Sequence, residues 1–358
     1  MRSSRSQRMI NARRGVLIFL SLVGVVHVTL AVAVAMSIRL RDPFYGDKAA
    51  KLFHRIQCEK PDRIIVGLGS SRMGMGFEGQ LIEGEIQQKT GLKTIAFNFG
   101  VPGVGPITQL VYFNRLLASG LHPDLLIVEL LPPLMSGAGE PIEKRSFRAE
   151  MVTRSELSVL NNHGYNPELN ESIWRETLLF PTTHLRYQLL GRLVPSLLPS
   201  NERFDWSRKC DLSGWNACAF SKISAEQKKT MTEGALNDYR PILTNFCLEG
   251  GPKEAFEELL SLAQQQGIKV QILWMPEGEE FRSLYKPEQI ATFTSLLTDW
   301  SQRYGTEAVV ARDWLGEDAF LDSHHLLIRG AGEFSRKLTY EKLLPWLAPR
   351  MMQVAHGR

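Results

Sequence analysis

Two serines stand where a predicted strand ends. Residues 64–66 are apolar and mostly β-branched, which is typical of a strand buried in a parallel sheet, and Gly67 and Gly69 lead from it to Ser70 and Ser71. The glycines allow a sharp turn, so the hydroxyls should lie at the carboxyl edge of the sheet, where open α/β folds bind ligands. A helix that begins there would favour negative charge beside the hydroxyl.

A second polar cluster, Asp322-Ser-His-His325, lies in a loop after the last predicted strand. A serine hydroxyl is a weak nucleophile until a base removes its proton, and histidine, oriented by a carboxylate, is the usual base. Because both clusters follow strand ends, we expect them at one edge of the sheet. We therefore predict Ser71 as nucleophile, His325 as base and Asp322 as the orienting acid. Ser70 is the alternative nucleophile and His324 the alternative base.

The elements that must position these residues alternate between strand and helix. The predicted strands cover residues 64–66, 94–97, 125–131, 270–274 and 308–311. Helical patterns lie between them, which favours a parallel sheet with right-handed crossovers. We predict a three-layer α/β/α sandwich with a five-stranded parallel sheet. Residues 134–251 break the alternation and are predicted to be a mostly helical insertion that shapes a substrate cleft.

Residues 15–38 carry no charged side chain, and Arg13 and Arg14 precede them. This stretch is long enough to cross a bilayer as a helix, so we predict a membrane anchor with a cytoplasmic basic tail over 1–14. The alternative is a signal peptide cleaved near residues 33–35. Either interpretation puts the rest of the chain outside the cytoplasmic membrane. The remaining predicted parts are a linker over 39–61, a domain over 62–348 and a C-terminal tail over 349–358.

Composition excludes some classes of function. The net charge is +4 over 358 residues and basic residues are not interleaved with aromatic ones, so we expect no nucleic-acid partner. The four cysteines form no Cys-x-x-Cys pair, and we predict no metal site and no cofactor. Cys210 and Cys218 flank a turn-rich loop that a disulfide could close, with buried free thiols as the alternative.

Together these blocks resemble the SGNH (GDSL-type) hydrolases. Residues 69–71, Gly-Ser-Ser, resemble the opening Gly-Asp-Ser block, and residues 322–325 resemble the closing Asp-x-x-His block. Residues 98–103, which begin with Asn98, are similar to the second block, whose glycine amide helps to form the oxyanion hole. The resemblance implies that the amides of Ser71 and Gly103 form that hole.

The third block of that family departs from its pattern here. The family has Gly-x-Asn-Asp, whose asparagine donates to the oxyanion, whereas residues 128–133 read Val-Glu-Leu-Leu-Pro-Pro. Losing one such donor costs about two to three orders of magnitude in rate. Arg72, beside the nucleophile, is a candidate replacement. Glu277 follows a strand and is a rival orienting acid.

Because the third-block asparagine is missing and a membrane anchor is predicted, the chain resembles the membrane-anchored SGNH-like proteins of alginate O-acetylation and lipoteichoic acid D-alanylation. This resemblance implies a serine esterase or O-acyltransferase acting on an acylated envelope or exported polysaccharide. The alternative is an inactive binding or assembly protein that partners a membrane acyltransferase. A cofactor-binding flavodoxin-like domain is a third class.

Overall fold

The computed structural model describes residues 2–199 and 203–348 of the chain. Five parallel strands form one sheet in the order β2-β1-β3-β4-β5. They are β1 Arg63–Gly69, β2 Thr94–Gly100, β3 Leu125–Glu129, β4 Lys269–Trp274 and β5 Glu307–Val310. The predicted five-stranded parallel sheet is therefore confirmed. Strand order reverses between β1 and β3, and such a point is where open α/β sheets bind ligands.

Helices make up most of the described chain. Three precede the sheet: α1 Arg2–Met36, α2 Ile38–Arg41 and α3 Pro43–Glu59. Between β1 and β3 lie α4 Ser71–Gly76, α5 Gly79–Thr90 and α6 Pro106–Ala118. After β4 lie α16 Glu279–Arg282, α17 Pro287–Tyr304 and α18 Ile328–Leu338, which a π-helical turn, Thr339–Leu343, continues.

Between β3 and β4 the described residues form helices and loops and no strand. The α-helices of this segment are α7 Pro132–Met135, α8 Glu140–Ser146, α9 Leu157–Asn162, α10 Pro167–Leu179, α11 Pro181–His184, α12 Arg186–Leu193, α13 Asp205–Lys209, α14 Ala225–Thr244 and α15 Gly251–Gln265. A capping box formed by Ser224 and Gln227 begins α14, because each side chain bonds the other residue's backbone amide.

Both faces of the sheet are buried. Side chains alternate along a strand, and Val66 and Val128 join one apolar cluster while Ile65 and Ile127 join another. The first cluster includes residues of α6, α15 and α17, and the second includes residues of α5 and α18. Burial on two sides explains why the strands read as continuous apolar runs.

Residues 39–61, predicted as a linker that includes a short helix, lie almost entirely in α2 and α3, which pack against the domain. Asp42 caps α3 by accepting from Tyr45 N at 3.1 Å, and it also pairs with Arg115 at 2.6 Å. Lys48 is fully buried, and its Nζ donates to the carbonyls of residues 98, 100 and 214 at 2.7–3.0 Å. Charged residues in this segment suggested a solvated stretch, but their charges are satisfied inside the protein.

Within the described residues, α1 is the helix that is long and apolar enough to cross a membrane. Its residues 7–26 are exposed or nearly so along their whole length. From His27 to Val34, one side of α1 packs against α10–α12. The predicted tail over 349–358 lies outside the described residues.

Candidate active site

The nucleophile candidate stands at the start of α4, directly after β1. Ser70 is the N-cap of α4, and its Oγ accepts a hydrogen bond from Arg72 N at 3.2 Å. This bond engages the Ser70 hydroxyl in the turn. The Ser71 hydroxyl, one residue further on, points instead to the loop that follows β5.

Ser71, His325 and Asp322 meet in space although 254 residues separate the first two. Ser71 Oγ lies 2.7 Å from His325 Nε2, and His325 Nδ1 lies 2.8 Å from Asp322 Oδ2. Asp322 Oδ1 also accepts from the backbone N of His325 at 2.7 Å. The carboxylate therefore fixes both the ring and the backbone of the same histidine. A hydroxyl, an imidazole and a carboxylate in this order can activate the hydroxyl as a nucleophile.

The loop that carries Asp322 and His325 is held in an unusual backbone conformation. Ser323 has φ of 65°, a left-handed value that costs free energy in a residue with a side chain. Its Oγ accepts from Phe281 N at 3.1 Å, and its carbonyl accepts from Gly278 N at 2.7 Å. These bonds tie the loop after β5 to the loop after β4, so the imidazole is positioned by two strand ends.

Burial raises the pKa of Asp322, but the charge of His325 and the hydrogen bonds from His324 and His325 outweigh burial and hold that pKa well below its usual range. The carboxylate therefore stays ionised beside the imidazole. His324 has a different role, because its ring stacks on Phe281 with centroids 5.1 Å apart and meets Tyr239 edge-on. Burial, followed by the charge of His325, lowers the pKa of His324 to about 4. His324 is thus a neutral wall residue, and its ring nitrogen Nδ1 faces Asp322 at 3.2 Å rather than Ser71.

The predicted role of Arg72 as an oxyanion donor is wrong. Its guanidinium is buried, donates to the carbonyls of Met275 at 3.0 Å and Pro276 at 2.9 Å, and lies 3.5 Å from Glu277 Oε1. Arg72 therefore joins α4 to the loop after β4. Sequence adjacency to Ser71 suggested the role, but successive residues of a helix point in different directions.

Glu277 is also misassigned as a rival orienting acid. Its carboxylate is fully buried and accepts from Trp274 Nε1 at 3.0 Å and from Tyr285 OH at 2.8 Å. The guanidinium groups of Arg312 and Arg72 lie 3.2 and 3.5 Å from this carboxylate and balance its negative charge. Among the described residues, no histidine contacts this carboxylate.

Glu129, the last residue of β3, is a site residue that the sequence reasoning missed. Its side chain is buried, and Oε2 accepts from Ser70 N at 2.5 Å while Oε1 lies 3.8 Å from Arg72 Nε. Burial raises the pKa of Glu129, and the charge of Arg72 opposes that rise. Gly69 has no room for a Cβ against Glu129, which is why glycine is needed there. The carboxylate therefore fixes the turn that carries Ser71.

Asn98 and Gly103 lie on either side of the turn after β2. Asn98 Nδ2 donates to the carbonyls of Met73 and Phe77, both at 2.8 Å, so its role is to hold the ends of α4 against β2. Gly103 has φ of 70° and lines the same cavity as His325. Within the described part of the chain, neither the Ser71 amide nor the Gly103 amide has a protein acceptor. Both amides can therefore donate to a ligand.

The site opens into a cavity of about 730 Å³. Its walls come from the turn after β2, from α8, from α14 and from the loop after β5, including Gly103, Ile142, Arg145, Met231, Asp238, Tyr239, Ile242, Asp322, His324 and His325. Arg145 is exposed and has no ion pair among the described residues. Burial raises the pKa of Tyr239 to about 12, so its hydroxyl stays protonated. Tyr239 was missed because nothing local in the sequence links α14 to the site.

Asp322, His324 and His325 are the group of described residues whose side chains could also hold a metal ion, since their ligand atoms lie within 4.8 Å of one another. A metal ion there would compete with the hydrogen bonds that join His325 to Ser71 and Asp322. The four cysteines are free, so the disulfide alternative for Cys210 and Cys218 is not formed.

A protein family matches most of the chain. A family described as "Protein of unknown function (DUF1574)" matches residues 17–329 of the chain. That range includes most of α1, all five strands and both halves of the site. No curated protein matches the chain.

Proposed function

The chain belongs to the DUF1574 family of proteins of unknown function, and we propose that it is a membrane-anchored, SGNH-like serine esterase or O-acyltransferase. The observation that carries the proposal is the pair of short distances, 2.7 Å from Ser71 Oγ to His325 Nε2 and 2.8 Å from His325 Nδ1 to Asp322 Oδ2. Both fall within the reach that proton transfer requires.

In the proposed reaction, Ser71 Oγ attacks an ester carbonyl carbon while its proton passes to His325 Nε2. Asp322 stabilises the imidazolium that forms. When the tetrahedral intermediate collapses, the ester C–O bond breaks and His325 returns the proton to the departing alcohol. Water or a sugar hydroxyl then attacks the acyl-enzyme, with His325 again as the base, and Ser71 is released.

Two backbone amides can stabilise the oxyanion. The Ser71 amide lies at the start of α4, Gly103 lines the cavity, and neither amide has a protein acceptor among the described residues. Oxyanion holes commonly use such preorganised donors. Tyr239 also lines the cavity, and its OH is our candidate for a third donor in place of the asparagine that the third block lacks.

We assign the fold to the three-layer α/β/α sandwiches of SGNH type. The strand order β2-β1-β3-β4-β5, which flavodoxin-like doubly wound sheets share, supports this, as does the burial of both faces of the sheet. The segment between β3 and β4 would then be the insertion that walls the cleft.

The proposed substrate is an acylated envelope or exported polysaccharide. An extracytoplasmic domain tethered by α1 would meet such a polymer, and a cavity of about 730 Å³ can receive a sugar ring together with its acyl group. Arg145 at the cavity wall suits an anionic glycan. The acyl group would come from the polymer itself or from a membrane acyltransferase that acts as partner.

A specific observation favours a second candidate, an inactive binding or assembly protein. The position beside the nucleophile turn holds the carboxylate of Glu129 instead of an asparagine, and a carboxylate does not donate to an oxyanion. In this case the cavity binds the glycan and presents it to the partner acyltransferase.

The decisive test uses the full chain purified in detergent. We expect p-nitrophenyl acetate to be hydrolysed and a fluorophosphonate probe to label the protein. The substitution Ser71→Ala should abolish both activities. Ser70→Ala is the matched control, because its hydroxyl caps α4 and should be dispensable for labelling.

Labelling that persists in Ser71→Ala, or disappears only in Ser70→Ala, would reject Ser71 as the nucleophile. A folded wild-type chain that neither hydrolyses the ester nor reacts with the probe would favour the second candidate.

A further inference from the structure

An uncharged apolar tip lies where α10 turns into α11. Residues 177–183 read Thr-Leu-Leu-Phe-Pro-Thr-Thr, and the side chains of Leu179 and Phe180 are 61% and 55% exposed. Neighbouring large apolar side chains exposed to this extent mark an interaction surface on a folded protein. We therefore expect another molecule to cover the side chains of Leu179 and Phe180.

The tip lies against the apolar helix α1. His27 Nε2 is 2.5 Å from the carbonyl of Leu179, and the rings of His27 and Phe180 are 6.3 Å apart. Further along the two elements, Leu30 and Val34 of α1 pack with Leu185 and Leu189. The hairpin of α10–α12 thus runs beside the last turns of α1.

The contact with His27 sets the depth of the tip. A helix needs about 20 residues to cross the hydrocarbon core of a bilayer. Counted from Gly15, the first residue after Arg14, about 20 residues reach Val34, and any span that starts later ends beyond it. His27 therefore lies inside the hydrocarbon in every placement of α1 that excludes Arg14. Leu179 and Phe180, at the same level, lie there too.

Part of the backbone at the tip is satisfied inside the protein, which lowers the cost of placing it in hydrocarbon. His27, in the tautomer with its proton on Nε2, donates to Leu179 O, and Arg186 Nη1 donates to Thr183 O at 2.8 Å. Phe180 O accepts from the amides of residues 183 and 184 at 3.0 and 3.2 Å. Pro181 has no amide hydrogen to satisfy. These contacts give His27, otherwise a polar interruption in α1, a defined role.

Two carboxylates near the tip have partners inside the protein. Glu176, one turn before it, lies 3.4 Å from His184 Nε2 and accepts from Ser172 Oγ at 2.7 Å. Glu171, a turn further from the tip, pairs with Arg175 at 3.1 Å.

A second apolar stretch follows the hairpin at the level where α1 ends. Leu193 and Leu197 are 70% and 69% exposed. Beside them, Arg192 and Arg39 share one carboxylate, that of Asp47, at 2.8 and 3.0 Å. Two arginines on a single carboxylate leave net positive charge, which suits the anionic headgroups at a membrane surface.

From these observations we propose that α10–α12 form a second membrane attachment, with Leu179 and Phe180 in the hydrocarbon beside α1 and Leu193 and Leu197 at the interface. The occupant of the apolar surface is lipid. The proposal rests on α1 as the membrane span and is independent of the chemistry at Ser71. A partner protein's membrane helix could cover the same surface, and the experiment separates the two.

The test places the full wild-type chain in nanodiscs of phosphatidylethanolamine and phosphatidylglycerol that contain a phospholipid with a diazirine in its acyl chain. After photolysis, adducts are mapped by mass spectrometry. We expect adducts on α1, on residues 177–183 and on residues 193–197. Residues 210–222, which carry the exposed Leu212 and Phe220, are the internal control and should remain unlabelled. Adducts confined to α1 would overturn the proposal, because no partner protein is present in the discs.

A double variant, Leu179→Asp with Phe180→Asp, compares adducts at the tip with adducts on α1 of the same molecule. The result therefore does not depend on the overall yield of the photoreaction. We expect loss of adducts at residues 177–183 and retention on α1. Leu212→Asp is the matched control and should leave the adduct pattern unchanged. A cooperative thermal melt monitored by circular dichroism reports that each variant is folded. If the double variant is folded and still labelled at the tip as strongly as wild type, lipid contact by these two side chains is ruled out.

Discussion

At the scale of single residues, the position of the nucleophile depends on a carboxylate that contacts no substrate. Glu129 holds Ser70 N at 2.5 Å, and Ser71 follows in the chain. The same side chain lies near Arg72, whose other contacts reach the loop after β4. The turn after β1 is therefore fixed from β3 and β4 as well as by its own glycines.

Replacing Glu129 should disturb both stability and the site. In Glu129→Ala, the Ser70 amide and the Arg72 guanidinium lose a buried partner, and breaking such a pair costs about 3–5 kcal/mol. We expect a lower melting temperature in detergent and slower fluorophosphonate labelling. Glu129→Gln keeps an acceptor for Ser70 N and should restore labelling in part. Glu280→Ala, at an exposed position, is the control. Normal labelling in a destabilised Glu129→Ala would show that the carboxylate has no positioning role.

His324 should make stability depend on pH. Its pKa is lowered from 6.5 to about 4, chiefly by burial, so between these values the unfolded chain binds a proton that the folded chain does not. The free energy of unfolding therefore falls as the pH drops from 6.5 to 4. The depressed pKa of Asp322 acts in the same direction but below its ordinary value of 3.8, outside this window.

Melting temperatures of wild type and His324→Phe, measured across that window, provide the check. Phenylalanine keeps the packing on Phe281 and Tyr239. We expect the variant to lose less stability than wild type on acidification from pH 6.5 to 4. Equal losses would mean that His324 is protonated inside the folded protein.

At the scale of elements, the regular parts of the fold could be predicted and the long-range contacts could not. The bounds of helices α6 and α17 can be read from the sequence, because proline marks their first turns and glycine follows their ends closely. Ser71, Asp322 and His325 could be placed at one sheet edge because each follows a strand.

The residues that were misassigned depend on contacts that no local pattern records. Arg72 was expected at the oxyanion, but three acceptors after β4 bind it. Tyr239 reaches the cavity from α14, whose position depends on packing across the whole segment between β3 and β4. Residues 39–61 look like a linker because they are rich in charge, yet Lys48 and Arg55 are buried with partners.

Lys48 offers a test of whether residues 39–61 stabilise the domain. Its ammonium satisfies three buried carbonyls, which join α3 to the end of β2 and to the loop at Gly214. In Lys48→Met all three carbonyls lose this donor, although Gly100 O keeps the Trp206 indole N–H at 2.9 Å, and each buried carbonyl left unsatisfied costs about 1–3 kcal/mol. We expect a large drop in the melting temperature, while Lys89→Met, at an exposed position on α5, should change it little. Equal melting temperatures for the two variants would show that residues 39–61 do not stabilise the domain.

At the scale of the whole molecule, one apolar helix precedes a domain that would act outside the cytoplasm. Arg13 and Arg14 lie on the amino-terminal side of the uncharged stretch, and positive charge favours the cytoplasmic side. The proposed orientation therefore places the carboxyl terminus outside.

Reporter fusions at the carboxyl terminus test this orientation. Alkaline phosphatase, which needs an oxidising compartment, should be active, and green fluorescent protein exported by the general secretory route should be dark. Replacing Arg13 and Arg14 with glutamate should reduce phosphatase activity, because the orienting charge is lost. A bright fluorescent fusion together with an inactive phosphatase fusion would reverse the proposed topology.

The segment between β3 and β4 supplies both the α10–α12 hairpin beside α1 and the α14 wall of the cavity. One continuous stretch of chain therefore sets how far the reactive serine stands from the bilayer surface. Under the proposed function, this fixed distance would restrict modification to polymer units at one height above the bilayer. Lengthening the stretch between α12 and α14 should then change which units are modified, and mapping of the modified units along the polymer would measure that change.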